Sequence, residues 1–148
     1  QETVAAISEM LSAKRDMAAC AVERVLAEQA RLKERIAALS MALAGTKAES
    51  LPPTEGNLCL FDNVLDEVAL RELVNLLTEK CRAAAVFSGS DETGYQYIIG
   101  SRRIDLRTRS RELNAAIGGK GGGTPEMLRG RASATAQILQ KVIENDLV

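Results

Sequence analysis

Histidine is absent from the 148 residues, and so is tryptophan. Without histidine the commonest general base and the commonest zinc ligand are gone, which leaves any hydrolytic site to carboxylates alone. The three cysteines, Cys20, Cys59 and Cys81, lie far apart with no C-x-x-C pair. That spacing offers neither a zinc knuckle nor a redox couple, and the odd count fits reduced thiols in a reducing compartment. No apolar run approaches the roughly 20 residues that cross a bilayer. The chain opens Gln1-Glu2-Thr3 instead of with Met or a secretion signal, and so reads as a cytoplasmic piece of something longer. The expectation is a soluble binding unit with no catalytic residue, no metal site, no membrane contact and no cofactor of its own.

Glycine and proline are missing from residues 1–44, so nothing there interrupts a helix. Val4, Ile7 and Leu11 open an apolar stripe that resumes at Ala18, Val22, Val25, Leu32, Ile36, Leu39 and Leu43. Its steps of three and four are coiled-coil spacing, broken near Lys14 and polar at Gln29. One long helix and a helical hairpin bent near the break both satisfy the pattern. An exposed stripe of this length calls for a partner, and Val22, Val25, Leu32, Ile36, Leu39 and Leu43 are the candidate contacts of a homodimer. Residues 45–56 (GTKAESLPPTEG) read as a linker.

From Asn57 onward the pattern is that of a small α/β domain with a mixed sheet, following the N-terminal helix or hairpin. Leu58–Phe61 reads as a strand, and Asp66 caps a helix with Leu70, Leu73, Val74, Leu77 and Cys81 on one face. Ala84–Phe87 and Tyr95–Ile99 read as strands around the turn SGSDETG. A further helix is expected from near Ser110 to the glycines, an edge strand over Met127–Ala132, and a last helix from about Ser133 burying Ala134, Ile138, Leu139 and Val142.

Charge is segregated. The formal charge is -1, yet residues 100–131 hold eight Lys or Arg against three Asp or Glu. A block of one sign marks either a polyanion-facing surface or a solvated helix face. Beside it stands Gly118-Gly119-Lys120-Gly121-Gly122-Gly123-Thr124-Pro125-Glu126-Met127-Leu128-Arg129-Gly130-Arg131. Residues without Cβ adopt positive φ and bring N–H groups close to a ligand, and consecutive amides in such a turn hold anions. Lys120 adds a mobile cation. The run is neither a Walker A loop nor a dinucleotide fingerprint, and taken alone it is equally a packed or flexible turn.

IGGKGGGTPEMLRG resembles the glycine-rich signature of the DHH-associated domain at the C-terminus of alanyl-tRNA synthetases. LRELVNLLTEKC, AAAVFSGSDETGYQYIIGS and RSRELNAAI stand where that family has a helix, a hairpin and a second helix. The leading segment also resembles the helical linker of the long free-standing alanyl-tRNA editing proteins, toward which the balance of similarity leans. The resemblance implies a non-catalytic module that binds tRNA(Ala), positions it for aminoacylation or deacylation, and supports dimerisation. Any editing zinc would belong to a domain not present here, because that motif needs histidine. DHH phosphoesterases carry the same domain type with a histidine after the glycines, and Thr124 stands there in this chain.

The resulting expectation is that Gly118, Gly119, Gly121, Gly122, Gly123 and Thr124 hold RNA phosphates with Lys120. Arg102, Arg103, Arg107, Arg109, Arg111, Arg129 and Arg131 would extend the positive surface. A side chain at Gly122 is expected to block phosphate or distort the loop. Only Phe61, Phe87, Tyr95 and Tyr97 are aromatic, which argues against a stacking platform for single strands and for structured RNA. The rival classes are a purely structural oligomerisation module and a nucleic-acid-binding accessory domain of a phosphoesterase.

Overall fold

The computed structural model describes residues 2–147. Helix α1 runs without interruption over Glu2–Ser50, which decides between the two arrangements left open for the first segment: there is no hairpin. It also passes through Gly45 and ends six residues later than the expected boundary at residue 44. The gain from burying Ala44 and Ala48 outweighs the roughly 1 kcal/mol that an interior glycine costs. Pro52 and Pro53 then forbid continuation, and Lys80 Nζ satisfies the terminal carbonyls of Ala48 and Leu51 at 2.6 and 3.1 Å. The connecting segment is therefore 51–56.

Two units divide the chain, Gln1–Ala38 and Leu39–Val148. In the first, every described residue is exposed, including Val22, Val25, Leu32 and Ile36 at 51–65%. In the second, Ser40, Ala44 and Ala48 are buried at steps of four, the spacing of one helix face.

The second unit is built on a five-stranded mixed sheet of order β1-β2-β3-β5-β4. Strand β1 (Asn57–Phe61) leads through α2 (Glu67–Leu77) to β2 (Ala83–Ser90), which lies parallel to it. Asp66 caps α2 by accepting from the Ala69 amide at 2.8 Å. A hairpin joins β2 to β3 (Gly94–Gly100), and α3 (Leu106–Ile117) follows. This helix starts four residues before Ser110 because Asp105 caps it and Leu106 is fully buried. At Gly118, in the left-handed region (φ 62°), the chain turns into β4 (Gly119–Gly123) and then β5 (Met127–Ala132). Strand β5 inserts between β3 and β4, so the glycine strand forms the sheet edge.

Alternation along the strands separates two cores. Ala83, Ala85, Phe87, Tyr95, Tyr97, Ile99, Leu128 and Ala132 face one way, toward α3 and the C-terminal helical residues. Ala84, Val86 and Ile98 face the other, toward α2 and the end of α1. The closing helix α4 (Ala136–Lys141) passes into a π-turn over Val142–Asp146. Leu139, Val142, Ile143 and Leu147 are buried while Ile138 is 47% exposed, so Ile138 is not the core residue the sequence pattern suggests.

Candidate nucleic-acid interface

The glycine run is an edge strand and not an anion-binding loop of positive-φ residues. Of its glycines only Gly118 has positive φ, and it serves as the C-cap of α3. The reciprocal bonds between Thr124 and Met127, and the Ser133 amide on Gly118 O at 3.2 Å, set the hairpin register. Antiparallel alternation then directs the Lys120 and Gly122 backbone groups into β5, and those of Gly121 and Gly123 toward the open edge. The amides that face outward are therefore spaced along a strand instead of converging on one point.

Most of these glycines answer to packing. A Cβ on Gly121 would stand 2.5 Å from the Tyr97 hydroxyl and 2.6 Å from Gly130 Cα. One on Gly119 would stand 2.7 Å from Arg131 O. Tyr97 crosses beneath α3 to donate to Asn114 Oδ1 at 2.7 Å, and Asn114 Nδ2 donates to Gly121 O at 3.2 Å. Burial raises the Tyr97 phenol, although the bond to Asn114 works against it. Gly122 differs from its neighbours: nothing lies within 4 Å of its missing Cβ and its φ is not positive. The expectation that a side chain there distorts the backbone therefore fails.

Strand β4 retraces α3. Asn114 holds Gly121, and at the far end the Leu106 amide donates to Pro125 O at 2.9 Å. Arg107 and Arg111 occupy the same helix stripe as Asn114, at i, i+4 and i+7, and both are exposed. They therefore flank the open edge on the α3 side. Arg109 sits half-turned on the other flank of that helix. On the opposite sheet face Lys120 stands beside Arg131 and Gly122 beside Arg129.

The candidate cations are thus not one patch. Lys120, Arg131, Arg107 and Arg111 border β4. Arg129 is engaged with Glu67 at 2.7 Å and Arg102 with Glu79 at 3.5 Å, all four side chains being exposed. Arg102 and Arg103 follow β3 in a turn at the opposite end of that strand from Gln96. Thr124 closes the β4–β5 turn, its amide bonded to Met127 O at 2.9 Å. Pattern reading missed Asn114 and Tyr97, which clamp the edge strand, and Gln96, which projects oppositely to the two tyrosines. The Tyr-Gln-Tyr alternation was the available signal for Gln96. Among the described residues no cluster of His, Cys, Asp or Glu could hold a metal ion, and no helix is long and apolar enough to cross a membrane.

No family model matches the sequence. It is 31% identical over 122 residues to the alanine–tRNA ligase of Desulfosudis oleivorans, a match covering 74% of this chain and 14% of the ligase. Against the alanine–tRNA ligase of Magnetococcus marinus it is 28% identical over 150 residues, covering 93% of this chain and 17% of the ligase. Over about three quarters of its own length the chain is thus similar to part of an alanine–tRNA ligase. It spans less than a fifth of those relatives' length. The crystal structure of the C-Ala domain from Aquifex aeolicus alanyl-tRNA synthetase aligns with 64% of this chain and 96% of its own, with a TM-score of 0.47 and 17% identity. Both sequence relatives are ligases, so the leaning toward free-standing editing proteins draws no support from them.

Proposed function

We propose that this synthetase-type module binds tRNA, tRNA(Ala) by the family resemblance, in the cytoplasm, and holds it for the aminoacylation chemistry of a parent ligase. The observation that carries this reading is the open edge of β4, where glycines expose backbone between two cationic borders. Lys120 and Arg131 form one border and Arg107 and Arg111 the other. Phosphate oxygens can approach bare amides closely, while guanidinium forks and an ammonium supply charge that a flexible backbone follows. An edge strand of this kind follows the shape of a phosphate chain and carries no base-reading groups of its own.

The test is tRNA binding by the full chain across a salt series. Lys120→Ala and Arg131→Ala are each expected to weaken binding and to reduce the slope of log K against log salt by about 0.7–0.9 per lost phosphate contact. Salt-independent binding, or slopes equal to the parent chain's in both variants, would remove the β4 border from the interface.

The exposed stripe along α1 favours a second role, pairing of two copies through Val22, Val25, Leu32, Ile36, Leu39 and Leu43, which are 37–65% exposed. Leu32→Asp combined with Ile36→Asp should then convert dimers to monomers in sedimentation. A parent chain that sediments as a monomer at high concentration rules out this role.

A further inference from the structure

Side chains opposite one another across an antiparallel pair project to the same face. The register aligns Ser88 of β2 with Gln96 of β3, Gln96 with Arg131 of β5, and Arg131 with Lys120 of β4. One row of four polar side chains therefore crosses the sheet on the face that α2 covers elsewhere. The neighbouring row is different: Val86 and Ile98 are buried under α2, and Arg129 is drawn to Glu67. Beyond α2 the polar row borders a cavity of about 710 Å³. Its floor continues the same face with Gly94, Gly118 and Ser133, so no large side chain fills it.

We infer that this basin receives one unstacked nucleotide of a bound RNA, with its phosphate on Lys120 and Arg131 and its base edge on Gln96. The inference rests on the proposed RNA reading and names a subsite within it. The volume lies in the range of roughly 300–1,000 Å³ usual for small-molecule sites. Gln96 is exposed, and its carboxamide both donates and accepts, as a base edge does. The two cations stand on one side of Gln96, so phosphate and base would occupy distinct ends of the row. Asp91 does not oppose an anion there: its Oδ1 accepts from the Tyr95 hydroxyl at 2.7 Å and from the Ala136 amide at 2.9 Å, both belonging to the other face.

Two measurements on the full chain test this. In amide NMR titrations, AMP, GMP, CMP or UMP should shift Gly94 and Gly118 and bind at least about fivefold more tightly than ribose 5-phosphate, which lacks a base. Gln96→Ala should lower tRNA affinity by about three- to tenfold without changing the salt slope, whereas Lys120→Ala changes the slope. Intact tRNA binding with a neutral Gln96→Ala, and nucleotides no better than ribose 5-phosphate, overturns the basin and leaves the broader RNA reading standing. A parent chain that binds no tRNA overturns both.

Discussion

Strands β1 and β4 close the same sheet at opposite edges, and the chain treats them in opposite ways. β1 is half-buried over four of its five residues, whereas β4 is exposed over four of five. Around β1, Asn57 Nδ2 donates to the carbonyls of Ile143 and Leu147, both at 2.8 Å, and the Phe61 ring stacks on Phe87 with centroids 5.5 Å apart. Just beyond it, Asp62 accepts from the amides of Val64 and Leu65 and forms an ion pair with Lys47 of α1. β4 has one clamp, Asn114, and one side chain, Lys120. A lysine on an open edge also deters pairing with a foreign strand. The contrast teaches that an edge rich in side chains is closed by its own protein, while an edge stripped of them stays accessible to something that seeks backbone and charge.

The sharpest way to break this contrast is to force a side chain into the β4–β5 pair. A Cβ on Gly130 would stand 2.6 Å from Gly121 Cα and 2.8 Å from the Tyr97 hydroxyl. Gly130→Val should therefore destabilise the second unit by about 3 kcal/mol in denaturant unfolding. A loss within experimental scatter would show that the edge strand is loosely held.

The next effect tests the closed edge. Burial pushes the Asp62 carboxyl up, but the Lys47 ammonium and the amides of Leu65 and Val64 prevail and hold it below its ordinary value of 3.8. A carboxylate depressed in the folded state stabilises it above the unfolded pKa, and that contribution disappears as pH falls through the folded value. Stability should thus drop below about pH 4. Asp62→Ala should cost about 2–3 kcal/mol at neutral pH. Asp62→Asn, which keeps an acceptor for the two amides, should cost less and flatten the acid limb. An unaltered acid limb in that variant would exclude the ion pair as its source.

A smaller effect separates fold from function at the open edge. Gly122→Val has room for its side chain, so stability should change by no more than about 0.5 kcal/mol. The added isopropyl group would nevertheless stand between Lys120 and the end of the strand, and tRNA affinity should fall. Full affinity with an unchanged fold would place the phosphate path elsewhere.

The mildest probe is thiol reactivity. Cys20 lies exposed in the first unit, while Cys81 is buried and Cys59 partly so. Burial, aided by Glu144, pushes the Cys59 thiol up to about 12, and burial raises Cys81 as well. A maleimide near neutral pH should label Cys20 at once and the other two only after unfolding. Rapid labelling of Cys59 in the native chain would mean that the β1 edge opens readily.

What could be read without coordinates was whatever a local signal carries. The absence of glycine and proline before residue 45 makes α1 helical, short apolar runs on either side of the turn SGSDETG mark β2 and β3 as strands, and Asp66 starts α2. Composition also excludes a histidine-dependent site, and the clustering of cations with glycines is visible in one pass. Local signals failed where distant residues compete. Gly45 lies inside a helix because Ala44 and Ala48 find a core, α3 starts at Leu106 because that side chain is buried, and Gln96 acquires cationic neighbours only through β5. Above all, tertiary structure decided that the glycines form a strand. Glycine permits nearly every backbone conformation, so its sequence selects none, and the choice falls to the partner: β5 supplies the ladder, and α3 with Tyr97 occupies the space that side chains would have filled.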